Sequence, residues 1–407
     1  MGKDMSKAFA YVDATREETI ELYKKFINHE SWSRNKAAVK AFSDILKAEM
    51  EKEGFECEYV PVGGPADEPR ADMLVGTWGK DRPGKPILFI GHMDTVFSPG
   101  MWKENAFEIT CDRRGGESSA EPRFAHGPGV LDMKGGILIA LNTVKALKAM
   151  GWAERPIKFA FAGDEEINHE YANTDEELAK ACEGGLVCFN METGLIDNNL
   201  CIGRNACQRW KVSIEGKETH SGNDFWGGRS SIVEMASKIM KFHALNQNEY
   251  GNTINIGTIK GGTVPNAVPA HCEVVLDIRY STAEGGKAIM DAVHAICEEA
   301  PFIEGTTTTL TFLNKLEVYE TSDDVKALLE FVKKTAAEYD LPEINGRRLG
   351  GGSDSSCAQR HGIPTLDSCG IRGQWNHTMD EYSDIESLFD RTKMWASVIA
   401  NIDDFKF

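Results

Sequence analysis

Strand-like apolar runs alternate with helix-like amphipathic runs over the first half of the chain. Residues 13–30 and 34–53 carry apolar positions at helical spacing, next to residues that commonly cap helices. Beyond them, short apolar runs such as residues 86–90 and 156–162 alternate with helical patterns such as residues 135–150. Alternation of this kind predicts an α/β sandwich around a mostly parallel central sheet.

The pattern changes after residue 208. From Trp210 to Ile214, apolar and polar residues alternate as in a sheet with one solvated face. The elements predicted next follow the order β-α-β-β-α-β, which is typical of a ferredoxin-like α+β module. The sequence therefore predicts a second domain, residues 209–315, inserted into a first domain made of residues 1–208 and 316–407.

The net charge and the apolar content of the chain argue against some classes of binding partner. The 407 residues carry a formal net charge of −18, which argues against nucleic acid or an anionic membrane surface as the main partner. No run approaches the roughly 18 apolar residues that span a membrane, and residues 1–9 lack the apolar core of a secretory signal. The ten cysteines include no Cys-x-x-Cys pair, so reduced thiols in a cytoplasmic protein are expected.

Candidate metal ligands begin at the end of the apolar run 87–90. In an extended chain, side chains two residues apart point the same way, so His92 and Asp94 share a side. A metal-bound imidazole usually has its other nitrogen held by a carboxylate or a carbonyl group. We therefore assign His92 as a metal ligand and Asp94 as the residue that orients it. The alternative is a hydrogen-bonded histidine at a strand end.

Residues 127–136 contain Gly-x-Gly and lead into a predicted helix, as a dinucleotide-binding loop does. The full Gly-x-Gly-x-x-Gly pattern is absent, and there is no strand–turn–helix unit with an acidic residue about 20 positions further on. Asp132 lies just before the helix N-terminus with one carboxylate oxygen free, which suits a bridge between two cations.

Adjacent acids follow the next strand. Neighbouring side chains on an extended backbone diverge, so one of Glu165 and Glu166 can bind metal while the other carries protons. A second Asp-Glu-Glu, residues 175–177, lies in a helical pattern and is expected on a solvated helix face.

Glu192 and His377 also follow strand-like runs, so these acids and imidazoles all fall at carboxyl ends of strands, where open α/β sheets bind ligands. Carboxylates with imidazole and no thiolate suit zinc, cobalt or manganese. These candidate ligands are more than a single zinc ion needs. Two divalent ions about 3.5–4 Å apart that share one carboxylate would use all of them.

These motifs together resemble the dinuclear zinc metallopeptidase and amidohydrolase family of carboxypeptidase G, acetylornithine deacetylase, succinyl-diaminopimelate desuccinylase and aminoacylase. The similarity covers almost the whole chain and rests on Gly-His-x-Asp-Thr at residues 91–95, the 127–136 motif and Asp-Glu-Glu at residues 164–166. It implies a zinc-exopeptidase-like sandwich with an inserted lid and dimerisation domain. It also implies that one metal is held by His92 and Glu192 and the other by Glu166 and His377, with Asp132 bridging and Glu165 as general base.

The resemblance extends to the inserted domain. It implies that His220 reaches the oxyanion, often in the partner subunit's site of a homodimer, and that Asn266 has a similar polarising role. It implies that Arg279 anchors the substrate's α-carboxylate and that Gly351 belongs to a glycine turn beside the site. From the residues alone, the alternative for His220 is a surface histidine, and the alternative for Arg279 is an ion pair with Asp277. The other histidines, among them His169, are interpreted as structural or surface residues.

The expected activity is hydrolysis of an amide or peptide bond next to a free α-carboxylate. A carboxypeptidase G-like reaction, releasing a C-terminal amino acid such as glutamate, is favoured by Glu192 as third acid, by the spacing of the inserted-domain motifs and by the Asp277–Arg279 pair. The alternatives are an N-acyl-amino-acid deacylase and a non-catalytic metal-binding relative. Residues 167–170 depart from the family's Gly-Ser-like turn, which leaves the shape of the pocket wall open.

Overall fold

The computed structural model describes residues 2–113 and 118–406. The chain divides into two compact units, the first made of Met1–Gly203, Thr321–Leu349 and Asp354–Phe407, and the second of Arg204–Glu320 and Gly350–Ser353. The predicted inserted domain, residues 209–315, lies within the second unit. No helix among the described residues is long and apolar enough to cross a membrane.

The described residues contain ten α-helices: α1 Ser6–Ala14, α2 Arg16–Ile27, α3 Lys36–Glu53, α4 Lys134–Ala149, α5 Thr174–Cys182, α6 Ser231–Ala244, α7 Ala283–Glu298, α8 Asp323–Glu338, α9 Ser355–Gln359 and α10 Glu386–Ala400. Helix α3 begins after Asn35, whose side-chain oxygen accepts a hydrogen bond from the backbone N–H of Ala38, and ends at Gly54 in the left-handed conformation. The helix predicted over residues 13–30 is shorter in the structure, because Thr15 leaves the helical conformation and separates α1 from α2.

The strands of the described residues are β1 Phe55–Val60, β2 Met73–Trp78, β3 Ile87–His92, β4 Glu108–Thr110, β5 Phe124–His126, β6 Ile157–Ala162, β7 Val187–Asn190, β8 Gly194–Leu195, β9 Leu200–Arg204, β10 Ala206–Glu215, β11 Thr219–His220, β12 Thr253–Gly261, β13 Ala267–Val268, β14 His271–Tyr280, β15 Thr307–Leu316, β16 Gly346–Leu349, β17 Thr365–Leu366, β18 Arg372–Gln374 and β19 Tyr382–Asp384.

The six-stranded sheet of the first unit has the strand order β1-β2-β6-β3-β7-β17. β6, β3, β7 and β17 are parallel neighbours, whereas β2 runs antiparallel to both β1 and β6. The sheet is therefore mixed, and the prediction of a mostly parallel sheet holds only for its four-stranded part. All six residues of β3 are buried, as is typical of a strand covered on both faces. The parallel order brings the carboxyl ends of β6, β3 and β7 side by side at one edge.

The four long strands and two helices of the second unit follow each other as β10, α6, β12, β14, α7 and β15. The strands form an antiparallel sheet with the order β12-β14-β10-β15. Alternate residues of β14 are buried, among them Val274, Leu276 and Ile278, and they pack in this unit's own hydrophobic core. The element order is the β-α-β-β-α-β order that the alternating pattern predicts.

Candidate metal centre

His92 is the last residue of β3 and is almost completely buried. Its Nε2 lies 3.2 Å from Asp132 Oδ1 and 3.4 Å from Glu192 Oε1. On the other side of the ring, Nδ1 lies 3.1 Å from the carbonyl oxygen of Asp94 and 3.4 Å from its Oδ1. The imidazole thus contacts Asp94 through Nδ1 and faces the carboxylates of Asp132 and Glu192 with Nε2.

Asp94 also anchors the turn that carries the two adjacent acids. Its Oδ1 accepts a hydrogen bond from the backbone N–H of Glu165 at 3.2 Å, and its Oδ2 accepts one from that of Glu166 at 3.1 Å. The hydroxyl of Ser33 donates to the same Oδ2 at 2.7 Å. Hydrogen bonds to the ionised form hold the pKa of Asp94 below its usual value, although burial alone would raise it.

The two carboxylate oxygens of Asp132 face different histidines. Oδ1 lies near His92, whereas Oδ2 lies 3.1 Å from His377 Nε2 and accepts a hydrogen bond from Asn376 Nδ2 at 2.9 Å. Asp132 immediately precedes the cap of α4, where the sequence places it. A carboxylate with this arrangement can serve two cations at once.

The predicted ligands form two groups that share Asp132. His92, Asp132 and Glu192 offer ligand atoms that all lie within 4.8 Å of one another, and so do Asp132, Glu166 and His377. Glu166 Oε2 lies 3.0 Å from His377 Nε2, whereas its buried Oε1 has no hydrogen-bond partner among the described residues. A buried carboxylate oxygen without a donor, within a set of carboxylates and imidazoles, fits a divalent cation.

Opposed charges dominate the electrostatics of the cluster. Burial, followed by repulsion from Asp132, raises the pKa of Glu166 to about 7. Hydrogen bonds to Asp132 and Glu166 raise the pKa of His377 to about 11. Burial also raises the pKa of Glu165 well above its usual value, with a further contribution from Glu192. The acids therefore outnumber the positive charge available from the imidazoles, which is the environment that a cation site requires.

Glu165 lies beside both groups without belonging to either. Its Oε2 is 3.9 Å from His92 Nε2, and its side chain is mostly buried. Glu165 and Glu166 begin a short 3-10 helix, Glu165–Ile167, which follows β6. Only Glu166 belongs to one of the two ligand groups. A carboxyl group that lies beside such ligand groups and belongs to neither can accept and return a proton.

Close backbone packing supports the centre. A Cβ atom at Gly136, in the first turn of α4, would lie 1.9 Å from the carbonyl oxygen of Met191, directly before Glu192. Only glycine permits this approach. Gly136 thus lets the helix after Asp132 pack against the segment that carries Glu192.

The remaining predicted residues belong to the second unit. His220 and Asn266 lie together, because β11 pairs with β13 and the backbone N–H of Ser221 donates to the carbonyl oxygen of Asn266 at 3.0 Å. Arg279 donates from Nε and Nη2 to the two oxygens of Asp277, at 2.6 and 3.0 Å, which is the pairing that the sequence left open as an alternative. Gly351 lies in the segment Gly350–Ser353 of this unit.

The family follows from a match that spans most of the chain. Residues 88–401 match the family described as peptidase family M20/M25/M40. The chain belongs to peptidase family M20/M25/M40. Members of this family are hydrolases that generally depend on two metal ions, and the two ligand groups around Asp132 fit that dependence.

Proteins similar to this chain include a carboxypeptidase and a desuccinylase. The chain is 26% identical over 390 residues to carboxypeptidase G2 of Pseudomonas sp. (strain RS-16), covering 94% of this chain and 89% of that protein. It is 23% identical over 373 residues to succinyl-diaminopimelate desuccinylase of Caulobacter sp. (strain K31), covering 88% and 89%. Aminopeptidase PepT of Bacillus cereus ATCC 10987 has the same fold, with a TM-score of 0.73, 19% identity and coverage of 96% and 99%.

Two supporting residues of this site are not anticipated by the sequence. Glu381 Oε1 accepts hydrogen bonds from the backbone N–H groups of Leu131 and Asp132 at 2.8 and 3.2 Å. His169, interpreted from the sequence as a structural or surface histidine, is buried between two aspartates that flank the Glu165 turn. Both residues lie within four positions of a proposed ligand, but the sequence does not show which distant segment each of them contacts.

Proposed function

We propose that the chain is a co-catalytic dinuclear zinc hydrolase that cleaves an amide or peptide bond next to a free α-carboxylate. The observation that carries this proposal is the pair of ligand groups that meet at Asp132, with Glu165 beside them. His92 and Glu192 would hold one ion and Glu166 and His377 the other, with zinc as the expected metal and cobalt or manganese as alternatives. Bound metals of this kind lower the pKa of water and polarise the scissile carbonyl.

Proton transfer, orientation of the base and polarisation of the carbonyl are assigned to residues of the chain. Glu165 accepts the proton of the attacking water and returns it to the leaving amine, since its carboxyl group lies 3.9 Å from the proposed ligand His92 and belongs to neither ligand group. Asp94 holds the backbone of Glu165 and orients His92, so one carboxylate fixes both the base and a ligand. The family motif assigns His220 and Asn266 to polarisation of the carbonyl, and a homodimer through the second unit belongs to the same proposal.

Arg279 is proposed to bind the α-carboxylate of the substrate. Its Nε and Nη2 donate to Asp277, so an incoming carboxylate would be bound through Nη1. An arginine held by a neighbouring acid is pre-oriented, which reduces the entropy lost on binding. Gly351, in the glycine turn, completes the proposed substrate-binding residues.

We infer carboxypeptidase G-like release of a C-terminal amino acid as the leading reaction, because the match to carboxypeptidase G2 spans more of the chain than the match to the desuccinylase. The second candidate, N-acyl-amino-acid deacylation, is supported by the match to that desuccinylase. Both reactions need the same metals, the same base and a free α-carboxylate, so they differ only in the acyl group. A cytoplasmic location is proposed with them.

The test is amine release by the metal-reconstituted protein from a panel of dipeptides and N-acyl amino acids. Glu165→Gln serves as the inactive comparison and Glu176→Gln, at an exposed position of the second Asp-Glu-Glu, as the matched control. Turnover that falls by about 10²–10⁴-fold in Glu165→Gln and stays unchanged in Glu176→Gln supports the proposal. The best substrate separates peptidase from deacylase. A wild-type protein that binds no metal and turns over no substrate contradicts the proposal.

A further inference from the structure

The turn after Glu165 and Glu166 has an uncommon backbone. Asn168, His169 and Tyr171 all lie in the left-handed region, with φ values of 53°, 53° and 60°. This region is disfavoured for residues with a Cβ atom, and surrounding contacts must hold such residues there. The part of the chain that departs from the family's Gly-Ser-like turn is therefore a segment that needs its own anchor.

His169 supplies that anchor. Its ring is buried, with Nδ1 2.8 Å from Asp164 Oδ1 and Nε2 2.8 Å from Asp354 Oδ1. Its backbone N–H donates to the carbonyl oxygen of Asp164 at 3.0 Å, and the second oxygen of Asp164 accepts from the Thr174 hydroxyl at 2.9 Å. One side chain thus joins the residue directly before Glu165 to Asp354, which lies 185 residues further along the chain than His169.

The charges favour an imidazolium at this position. Only the charged imidazole donates from both nitrogens, and here each nitrogen faces a carboxylate oxygen. Burial alone would lower the pKa of His169, but Asp354 and Asp164 outweigh it and raise the pKa well above the usual value. The positive charge of the His169 ring offsets the negative charges of Asp164 and Asp354, which are both buried. The negative charge of Asp354 also acts on Glu165.

We propose that His169 is a positioning residue that ties Asp164 to Asp354 and thereby fixes the direction of Glu165 and Glu166. This inference rests on the proposed function, since it assigns to His169 the positioning of the proposed base Glu165 and the proposed metal ligand Glu166. It goes beyond that function because His169 belongs to neither ligand group and is not one of the proposed substrate-binding residues. Where the family resemblance implies a Gly-Ser-like turn, this chain has a buried Asp–His–Asp bridge.

The test compares His169→Gln with the double variant His169→Gln/Asp354→Asn and with His361→Gln, a matched change at an exposed histidine of the same unit. Three quantities are measured: kcat and KM on the best substrate, the visible absorption spectrum of the cobalt-loaded protein, and the melting temperature. The cobalt spectrum reports the ligand geometry at Glu166 without any substrate.

We expect His169→Gln to lower kcat by at least about 10-fold with little change in KM, because a displaced base affects the transition state more than binding. The cobalt spectrum should change as well, since Glu166 follows the same turn. In the double variant, the amide introduced at position 169 can donate to Asp164 and accept from the amide introduced at position 354, so part of kcat and the original spectrum should return. His361→Gln should resemble the wild type.

A lower melting temperature in His169→Gln with unchanged kcat and cobalt spectrum would show a purely structural role and overturn the inference. A double variant no better than the single one would also contradict it. A wild-type protein that neither binds metal nor turns over any substrate would overturn the proposed function together with the inference, so the two failures are distinguishable.

Discussion

Glu381 accepts a hydrogen bond from the backbone N–H of Asp132, at 3.2 Å. The same oxygen accepts from the N–H of Leu131 at 2.8 Å, and the side chain is completely buried. Asp132 is the residue whose two carboxylate oxygens face His92 and His377. Glu381 therefore fixes the backbone from which the shared carboxylate projects.

Replacement of Glu381 by alanine should weaken both stability and metal binding. It leaves two buried N–H groups without an acceptor, each at a cost of about 1–3 kcal/mol in the free energy of unfolding. Loss of a residue that orients a ligand typically lowers metal affinity about 10–100-fold. Glu381→Gln keeps an oxygen acceptor and should lose much less. Chemical denaturation and zinc titration of the three proteins check this, and equal losses in both variants would contradict the role of the hydrogen bonds.

Asp132→Ala should affect both metal sites, because Asp132 belongs to both ligand groups. His377→Ala should affect only the group that contains Glu166 and leave the group of His92 and Glu192 able to bind. We expect about two zinc ions per chain in the wild type, about one in His377→Ala and fewer than one in Asp132→Ala. Elemental analysis after dialysis at a fixed free zinc concentration measures this. Two ions retained by Asp132→Ala would exclude a shared ligand.

The clustering of most of the proposed metal ligands was predictable from the sequence because they follow strands that are neighbours in the sheet. His92 ends β3, Glu166 follows β6 and Glu192 follows β7, and these three strands lie side by side. Strand-like runs that end in acids or histidines therefore gather at one edge as soon as the strands are parallel. Only the division of these residues between two metal ions needed the family resemblance.

The contacts that support these ligands were not predictable in the same way. Glu381 and Asp132 are 249 residues apart, and His169 and Asp354 are 185 residues apart, with no periodic pattern to connect them. Hydrogen bonds between distant segments depend on the finished tertiary structure. The mixed character of the central sheet could not be predicted for a similar reason. The apolar run that forms β2 does not show whether the strand runs parallel or antiparallel to β6.

Lowering the pH should remove the contribution that ionised Glu49 makes to the free energy of unfolding. Burial would raise the pKa of Glu49, but hydrogen bonds from Lys25 and Lys52 lower it below its ordinary value of 4.5. Because the folded pKa is depressed, this contribution is present above about pH 4.5 and is lost as the pH falls through the folded pKa. We expect about 0.5–1 kcal/mol at neutral pH, since both lysines are largely exposed.

Urea denaturation from pH 7 to pH 3 tests the contribution of Glu49. Glu49→Gln should be less stable than the wild type at pH 7, and the two proteins should converge as the pH falls below about 4.5. Glu51→Gln, which removes an acid of the same helix that is paired with Lys47, is the matched control. A constant difference between Glu49→Gln and the wild type across the whole range would show that the loss comes from packing and not from ionisation.

Arg279→Met should weaken recognition of a free α-carboxylate. A hydrogen bond to a charged group contributes about 1.5–3 kcal/mol, so kcat/KM for substrates with a free carboxylate should fall about 10–100-fold. Substrates whose α-carboxylate is amidated should be poor for the wild type and should lose little more in the variant, since they lack the group that Arg279 binds. Arg209→Met is the matched control, because Arg209 lies 3.6 Å from the same Asp277. If Arg209→Met lost activity on free carboxylates and Arg279→Met did not, the anchor would be assigned to the wrong arginine.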